Sequence, residues 1–259
     1  MKLHMYQVDA FASKVFTGNP AAVVPLENWL EDDLMQRIAC ENNLSETAFF
    51  VQEGEKYHIR WFTPTSEVAM CGHATLASAF VLFHELGYKN EKIVFSSKSG
   101  DLIVKQVAEM IEMDFPLQSI KRCEAPEAIL KAFNSEVQEC FVSMDYIVVF
   151  EHEKDVENLE VDLQSLKGLD ARGVIVTAKS KKYDFVCRFF APKYGVSEDP
   201  VTGSAFTQLA TYYSQVLQKE SFHAKQVSQR GGEVFCRVEG ERVFISGCAV
   251  KYLEGSIDV

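Results

Sequence analysis

The sequence lacks long apolar runs and clusters of basic residues. No stretch approaches the roughly 18 consecutive apolar residues of a membrane-spanning helix, and the first residues show no apolar segment of a signal peptide, so we expect neither. The net charge is −11, and no run of Lys and Arg is long enough to supply a basic field. This charge argues against a nucleic-acid partner and against an acidic membrane surface.

Paired cysteines and cofactor-binding loops are also missing. The seven cysteines are scattered, without a Cys-x-x-Cys pair or a histidine at ligand spacing, which predicts neither a disulfide framework nor a metal site. We therefore expect a reduced, cytoplasmic chain. The sequence has no Gly-x-Gly-x-x-Gly loop, no Walker loop and no Gly-x-Ser-x-Gly elbow. What remains is proton transfer on a small molecule without a cofactor.

The length and composition indicate a folded protein of one or two domains. The 259 residues are 47% hydrophobic and 24% charged, which is ordinary for a chain that buries a core. The pattern contains many short strand-like segments, few long helices and no regular alternation of strand and helix. We therefore predict an α+β fold, with curved mixed sheets wrapped on a central helix.

Three segments occur twice in the same order, which suggests a duplicated half. The offset is 128 positions from Arg60 to Arg188, 131 from Gly72 to Gly203 and 125 from Leu44 to Leu169. We predict halves at 1–117 and 118–259, with the last strand returning to the first half, and we expect the two arginines to pair with acids. The matched segments are Arg60-Trp-Phe-Thr-Pro64 with Arg188-Phe-Phe-Ala-Pro192, Gly72–Ala79 with Gly203–Ala210, and Leu44–Val51 with Leu169–Val176.

Gly72 and Gly203 each begin a predicted helix. A helix start carries unpaired N–H groups and about half a positive charge, so two starts that face each other across a cleft would bind an anion. The simplest anion is a substrate carboxylate. The alternative for either glycine alone is a tight turn into a packed helix.

Glu46 and His73 are the strongest candidates for proton transfer. Glu46 precedes a buried strand, where partial desolvation favours a general base. Its counterpart in the second half is Ala171, so the acid is present in only one half, as a directional reaction requires. The alternative is a solvated edge carboxylate. His73 follows Gly72, where the helix start lowers the imidazole pKa and keeps the ring neutral. The alternative is a capping or core histidine.

Four further residues are candidates for contact with the ligand. Cys71 lies where a helix start would stabilise a thiolate, but its counterpart Thr202 is no acid, so a small apolar role is the alternative. Asp199 is a second acid or an acceptor of loop N–H groups. Ser204 takes the position equivalent to His73 and offers a hydroxyl. Asn19 is either a ligand contact or a turn residue before Pro20.

Several of these segments together resemble one family. The sequence resembles the PhzF-like family of phenazine biosynthesis, which has the diaminopimelate epimerase fold. The resemblance implies two pseudo-symmetric domains, each a barrel-like mixed sheet around a central helix, with the active site between them. The segments that carry it are Phe16-Thr-Gly-Asn-Pro-Ala-Ala-Val-Val24, Asn43-Leu-Ser-Glu-Thr-Ala-Phe49, Phe62-Thr-Pro64, Cys71-Gly-His-Ala-Thr75 and Glu198-Asp-Pro-Val-Thr-Gly-Ser-Ala205.

The resemblance also implies roles for the candidates. The family's catalytic glutamate falls on Glu46, and its substrate-binding histidine, aspartate and serine fall on His73, Asp199 and Ser204. Related epimerases use a pair of cysteines, of which only Cys71 is present. We therefore expect a cofactor-independent isomerase of a small carboxylate-bearing metabolite. An amino-acid racemase or epimerase using Cys71 and a non-catalytic binding protein are the alternatives, and a homodimer is left open.

Overall fold

The computed structural model describes all residues from 1 to 259. The chain forms two compact units. The first contains Met1–Phe115 together with Ser246–Val259, and the second contains Pro116–Ile245. Each unit is a mixed β-sheet with a few helices, and this architecture follows from short alternating apolar segments separated by turn residues.

The first unit has eight strands and two helices before the chain enters the second unit. The helix α2 continues as a π-helical turn, Val81–Glu85. The elements are β1 (Lys2–Ala10), β2 (Asn19–Leu26), α1 (Asp32–Asn42), β3 (Glu46–Glu53), β4 (Lys56–Phe62), β5 (Glu67–Val68), α2 (Gly72–Phe80), β6 (Lys92–Ser97), β7 (Gly100–Val107) and β8 (Met110–Pro116).

The helix α2 is the crossover between two parallel strands. Strand β2 pairs parallel with β3, β3 antiparallel with β4, β4 parallel with β6, and β6 antiparallel with β7. A parallel pair needs a long connection, and α2 lies on that connection between β4 and β6. Its residues from Gly72 to Ala79 are buried, and it packs against β1, β2 and β3. Its small side chains (Gly, Ala, Ser and Thr) allow this close approach of the sheet.

The second unit repeats this connectivity. Strand β11 pairs parallel with β12, β12 antiparallel with β13, β13 parallel with β14, and β14 antiparallel with β15. The long helix α6 is the crossover between β13 and β14. The elements are β9 (Lys121–Cys123), α3 (Glu127–Ala132), β10 (Glu139–Val142), β11 (Tyr146–Val149), α4 (Glu153–Glu157), α5 (Leu163–Leu166), β12 (Val174–Lys179), β13 (Phe185–Phe190), α6 (Gly203–Leu217), β14 (Ser221–Gln226), β15 (Gly232–Glu239) and β16 (Arg242–Gly247).

The last strand, β17 (Ala249–Asp258), belongs to the first unit. It pairs antiparallel with β1 over the whole length of that strand, from Lys2 opposite Asp258 to Ala10 opposite Ala249. A register shift at Gln7 and Val8 marks a bulge in this pair. The first unit is therefore closed by a segment from the other end of the chain.

The helices differ in length and in burial. None of them combines the length and the apolar character that crossing a bilayer requires. In the first unit, α1 covers one face of β2 and β3, where Met35 and Ile38 pack with Phe49 and Val51. The opposite face of these strands is left for α2.

Candidate functional site

Glu46 is the first residue of β3 and lies on the strand face that meets α2. Side chains alternate along a strand, and since Phe49 and Val51 pack against α1, Glu46 is on the opposite face. It lies opposite Ala21 in the parallel pair with β2. Its side chain is 17% exposed, so the carboxylate is mostly withdrawn from water but still accessible.

His73, at the start of α2, is the centre of a group of four predicted site residues. Its Nε2 atom is 3.1 Å from Oε2 of Glu46. On the other side of the ring, Nδ1 is 3.2 Å from Nδ2 of Asn19 and 3.5 Å from Sγ of Cys71. The strands β2 and β3 and the start of α2 thus bring Asn19, Glu46, Cys71 and His73 together within the first unit.

The contact between Glu46 and His73 is close but not aligned. Oε2 of Glu46 and Nε2 of His73 are both buried, and neither atom makes a hydrogen bond of acceptable geometry. Leaving a buried polar atom unsatisfied costs about 1–3 kcal/mol. Such atoms mark a place where a ligand, a water molecule or a small side-chain rotation completes the bonding.

The surroundings raise the pKa of His73 well above its usual value, and the expected lowering is therefore wrong. Burial alone would lower this pKa, but the negative charge of Glu46 and the side-chain contacts with Cys71 and Glu46 favour the protonated ring and outweigh the effect of burial. Burial, followed by the charge of Glu46, raises the pKa of Cys71 to about 11. Because Cys71 is then a neutral thiol near pH 7, the negative charge that favours the protonated His73 ring is that of Glu46. Of the two roles predicted for Cys71, the neutral thiol agrees with the small apolar one.

Neither crossover helix has a side-chain cap at its start. Cys71 and Thr202 are the N-cap residues of α2 and α6, and neither side chain accepts a hydrogen bond from the first turn. Both first turns also lack acidic residues. No acidic residue within either first turn offsets the positive potential at Gly72 or Gly203, and the nearest carboxylates are those of Glu46 and Asp199.

In the second unit, Asp199 is held in the loop before α6. Its carboxylate accepts a 2.5 Å hydrogen bond from the hydroxyl of Thr202, and its backbone N–H donates to Phe189. Asp199 and Ser204 are both partly exposed, while Gly203 is buried. These three predicted residues share one loop and helix start. The predicted roles of all the site residues stay predictions.

Gln226 is a buried residue of this loop that the sequence did not indicate. Its side-chain amide donates to the Asp199 carbonyl at 2.6 Å and accepts from the Thr202 backbone N–H at 2.9 Å. Ser228 adds a hydrogen bond to the Pro200 carbonyl at 2.7 Å. The end of β14 therefore fixes the conformation of the Asp199 loop. No pattern in the sequence pointed to Gln226.

A second buried polar group anchors α6 and was also missed. Asp145 is completely buried and binds the guanidinium of Arg172 through both oxygens, at 3.0 and 2.5 Å. Gln208 of α6 donates to the same carboxylate at 2.7 Å and accepts from the Asp145 backbone N–H. A buried carboxylate needs such partners to offset its desolvation. Gln208 lies one turn after Ser204, so this group fixes the first turns of α6.

The repeated arginines make the same contacts in their own units. Arg60 binds both carboxylate oxygens of Glu67 at 2.8 and 3.0 Å, and Arg188 binds those of Glu198 at 2.7 and 3.0 Å. Arg60 also holds the pKa of Glu67 at about 2. Each guanidinium lies over the ring of the phenylalanine two positions later in its strand. The expectation that they pair with acids is correct.

Comparison with solved structures supports the predicted fold. A phenazine biosynthesis protein of the PhzF family from Enterococcus faecalis is 44% identical, with a TM-score of 0.98 and full coverage of both chains. A hydroxyproline epimerase from Agrobacterium vitis is 10% identical, with a TM-score of 0.63 over 99% of this chain and 91% of that chain. The second likeness concerns the fold alone. The α+β, epimerase-like prediction is confirmed.

Sequence comparison agrees with the predicted class of enzyme. An uncharacterized isomerase of Pseudomonas aeruginosa is 49% identical over 257 residues, which cover 99% of each chain. The family described as phenazine biosynthesis-like protein matches residues 8–255. With a match of this extent and relatives of this identity, the chain belongs to the phenazine biosynthesis-like (PhzC-PhzF) family.

Proposed function

We propose that the protein is a cofactor-independent isomerase that moves a proton on a small carboxylate-bearing metabolite. The family and the isomerase names of its relatives support the class of reaction. The observation that carries the mechanism is the 3.1 Å approach of the Glu46 carboxylate to His73, with both atoms lacking an aligned hydrogen bond. These groups remain available to a bound substrate.

Glu46 is the proton carrier in this mechanism. Its carboxylate removes a proton from a carbon next to an electron-withdrawing group and returns it to another position of the same molecule. His73, with its raised pKa, holds a proton close to Glu46 and stabilises negative charge that develops on the substrate. Proton removal and charge stabilisation thus come from adjacent groups of one unit.

The substrate carboxylate is held by the helix start at Gly72. The N–H groups of this first turn carry partial positive charge, and the turn itself contains no acidic residue. In the same unit, Asn19 supports the ring of His73. In the second unit, Asp199 and Ser204 offer a hydrogen-bond acceptor and a hydroxyl at the start of α6.

The racemase alternative is weaker because it needs a thiolate at Cys71. A thiol whose pKa is raised to about 11 stays protonated near pH 7 and cannot remove a proton from carbon. The second half offers Thr202 at the equivalent position. One neutral thiol and one hydroxyl do not form the pair of bases that a two-base epimerisation requires.

Exchange with solvent deuterium tests the proposal and does not require the substrate to be identified first. The full chain is incubated with a panel of small carboxylates in D₂O, and deuterium at carbon is measured by NMR. We expect exchange with the wild-type protein and a loss of about 10²–10⁴-fold in Glu46→Gln, with ligand binding retained. Glu53→Gln is the matched control, because Glu53 is an exposed residue of the same strand.

Two outcomes would contradict the proposal. If Glu46→Gln exchanged deuterium at the wild-type rate while Cys71→Ser lost exchange, the base would be Cys71, as in a racemase. If the wild-type protein bound a carboxylate tightly but exchanged no deuterium, the chain would be a binding protein of the same fold. Either result would remove Glu46 from its proposed role.

A further inference from the structure

Glu46, Cys71 and His73 offer three different metal-ligand atoms at one place. A carboxylate oxygen, a thiol sulfur and an imidazole nitrogen lie within 4.8 Å of one another. Carboxylate, thiolate and imidazole are the three ligand types that zinc takes from proteins. The sequence did not indicate this grouping, because Glu46 comes from β3 whereas Cys71 and His73 flank Gly72 at the start of α2.

The observed distances are close to those of a tetrahedral site. Zinc–sulfur and zinc–nitrogen bonds of about 2.3 and 2.0 Å place sulfur and nitrogen about 3.5 Å apart. Sγ of Cys71 and Nδ1 of His73 are 3.5 Å apart. The Glu46 oxygen is near the opposite ring nitrogen, at 3.1 Å, so its carboxylate has to turn toward the ion. Rotation about the side-chain bonds of a partly exposed glutamate supplies that movement.

A second observation also points to a ligand at this place. Oε2 of Glu46 and Nε2 of His73 are buried polar atoms without a hydrogen-bond partner, and His73 is only 5% exposed. Buried polar atoms are nearly always satisfied in native proteins. A cation next to the carboxylate satisfies the Glu46 oxygen.

We propose that Glu46, Cys71 and His73 bind one borderline divalent cation, zinc in particular, and that this binding inhibits the enzyme. The ion replaces the thiol proton of Cys71 and the proton on the coordinating nitrogen of the protonated His73 ring, and both protons pass to solvent; no atom changes oxidation state. A fourth position stays open for water. The inhibition rests on the proposed function, because the ion withdraws the carboxylate that carries the proton. The binding itself rests only on the three side chains.

Metal titration of the purified, metal-free full chain tests the binding. Zinc is titrated against a chromophoric chelator, and cobalt(II) is added separately, because a cobalt–thiolate bond gives a charge-transfer absorption band. We expect one zinc per chain and a cobalt–thiolate band. Cys71→Ser should abolish the band and weaken zinc binding by at least about tenfold, and Glu46→Gln should weaken zinc binding similarly while keeping the band.

The matched control removes the other pair of neighbouring thiols. Cys123 and Cys140 lie with their sulfurs 3.7 Å apart, so a double serine variant tests whether that pair is the source of metal binding. We expect it to bind zinc and cobalt as the wild type does. The absence of zinc binding, or a cobalt band that survives Cys71→Ser, would overturn the proposal.

Two further measurements distinguish a loss of folding from a loss of zinc binding, and zinc binding from inhibition of the enzyme. If Cys71→Ser does not fold, the zinc affinity of Glu46→Gln tests the site instead, because the Glu46 side chain is not in the core. An unchanged zinc affinity in Glu46→Gln would overturn the proposed site. No substrate is present in the titration, so its failure leaves the deuterium-exchange result intact. Conversely, zinc that binds to the three residues but leaves deuterium exchange unaffected would overturn the inhibition alone.

Discussion

Nε2 of His73 lies 3.1 Å from Oε2 of Glu46, although these residues belong to different elements. Glu46 begins β3, and His73 is the second residue of α2, the helix that crosses over from β4 to β6. The contact exists because α2 covers the strand face that α1 leaves open. The parallel pairing of β2 with β3 also places Asn19 on this face, two residues before the partner of Glu46. The sheet connectivity thus creates the candidate site.

The raised pKa of His73 predicts a protonated ring near neutral pH. A folded-state pKa above the ordinary 6.5 stabilises the fold below about pH 6.5, and this contribution is lost as pH rises through the raised value. Glu46→Gln removes the anion that acts on the ring, so the pKa of His73 should fall. The measurement is an NMR titration of the His73 ring carbons. Glu53→Gln, beside the partly buried His58, should leave the pKa of His73 unchanged. A wild-type His73 that titrates below its usual value would contradict this.

Gln226 should control the order of the Asp199 loop. Gln226→Leu leaves the Asp199 carbonyl and the Thr202 N–H without their partner, which costs about 1–3 kcal/mol of unfolding free energy. Amide hydrogen exchange should accelerate in residues 199–204 and change little in the first unit. Gln215→Leu, on an exposed position of α6, is the control. Equal protection of the loop in both variants would show that Gln226 does not hold it.

Gly18 should tolerate no side chain. Its φ is +69°, and a Cβ atom would lie 2.2 Å from the Ala10 carbonyl oxygen. Gly18→Ala should therefore destabilise the protein by more than the conformational cost of about 1–2 kcal/mol. Gly54→Ala isolates that cost, because Gly54 has a φ of +64° and no atom near its Cβ position. Chemical denaturation measures the loss of unfolding free energy in both variants. Equal losses would show that the contact with the Ala10 carbonyl adds no steric cost at Gly18.

The pair of Arg188 and Glu198 should contribute strongly to stability. Their side chains are only 14% and 24% exposed, and Arg188 also donates to the carbonyls of Val156 and Leu159. Arg188→Met leaves the mostly buried Glu198 carboxylate without its ion-pair partner and removes the hydrogen bond to the Leu159 carbonyl, which should cost about 3 kcal/mol. The exposed pair of Glu127 and Lys131 is the control, and its loss should cost about 0.5 kcal/mol or less. Similar costs at the two pairs in denaturant titrations would contradict the role of burial.

Much of the fold was predictable because it depends on patterns along the chain. The repeated Arg-x-Phe segments predicted paired arginines, and the structure confirms an acid partner for each. Alternating apolar residues predicted the strands, and small residues after Gly72 and Gly203 predicted the buried helices. The resemblance carried by segments such as Cys71–Thr75 predicted the family, which is confirmed over residues 8–255.

The errors concern electrostatics and partners that are distant in sequence. The pKa of His73 was expected to fall because only the helix start was visible; the opposing carboxylate of Glu46 is a contact of the folded chain. The helix start next to Cys71 suggested a thiolate as one of its two possible roles, but burial of the side chain opposes a thiolate more strongly. Gln226 was not anticipated, since its partners Asp199 and Thr202 belong to another element.

The sequence by itself determined the family, the α+β architecture and the candidate residues, because periodicity, small-residue helix starts and repeated segments are properties of the linear chain. The tertiary structure alone decided which candidates meet and how they ionise: it placed Glu46 and Cys71 on opposite sides of the His73 ring and Gln226 beneath the Asp199 loop. The physical reason is that burial and pairwise charge depend on distances in space, and those distances are set by sheet pairing rather than by position in the chain.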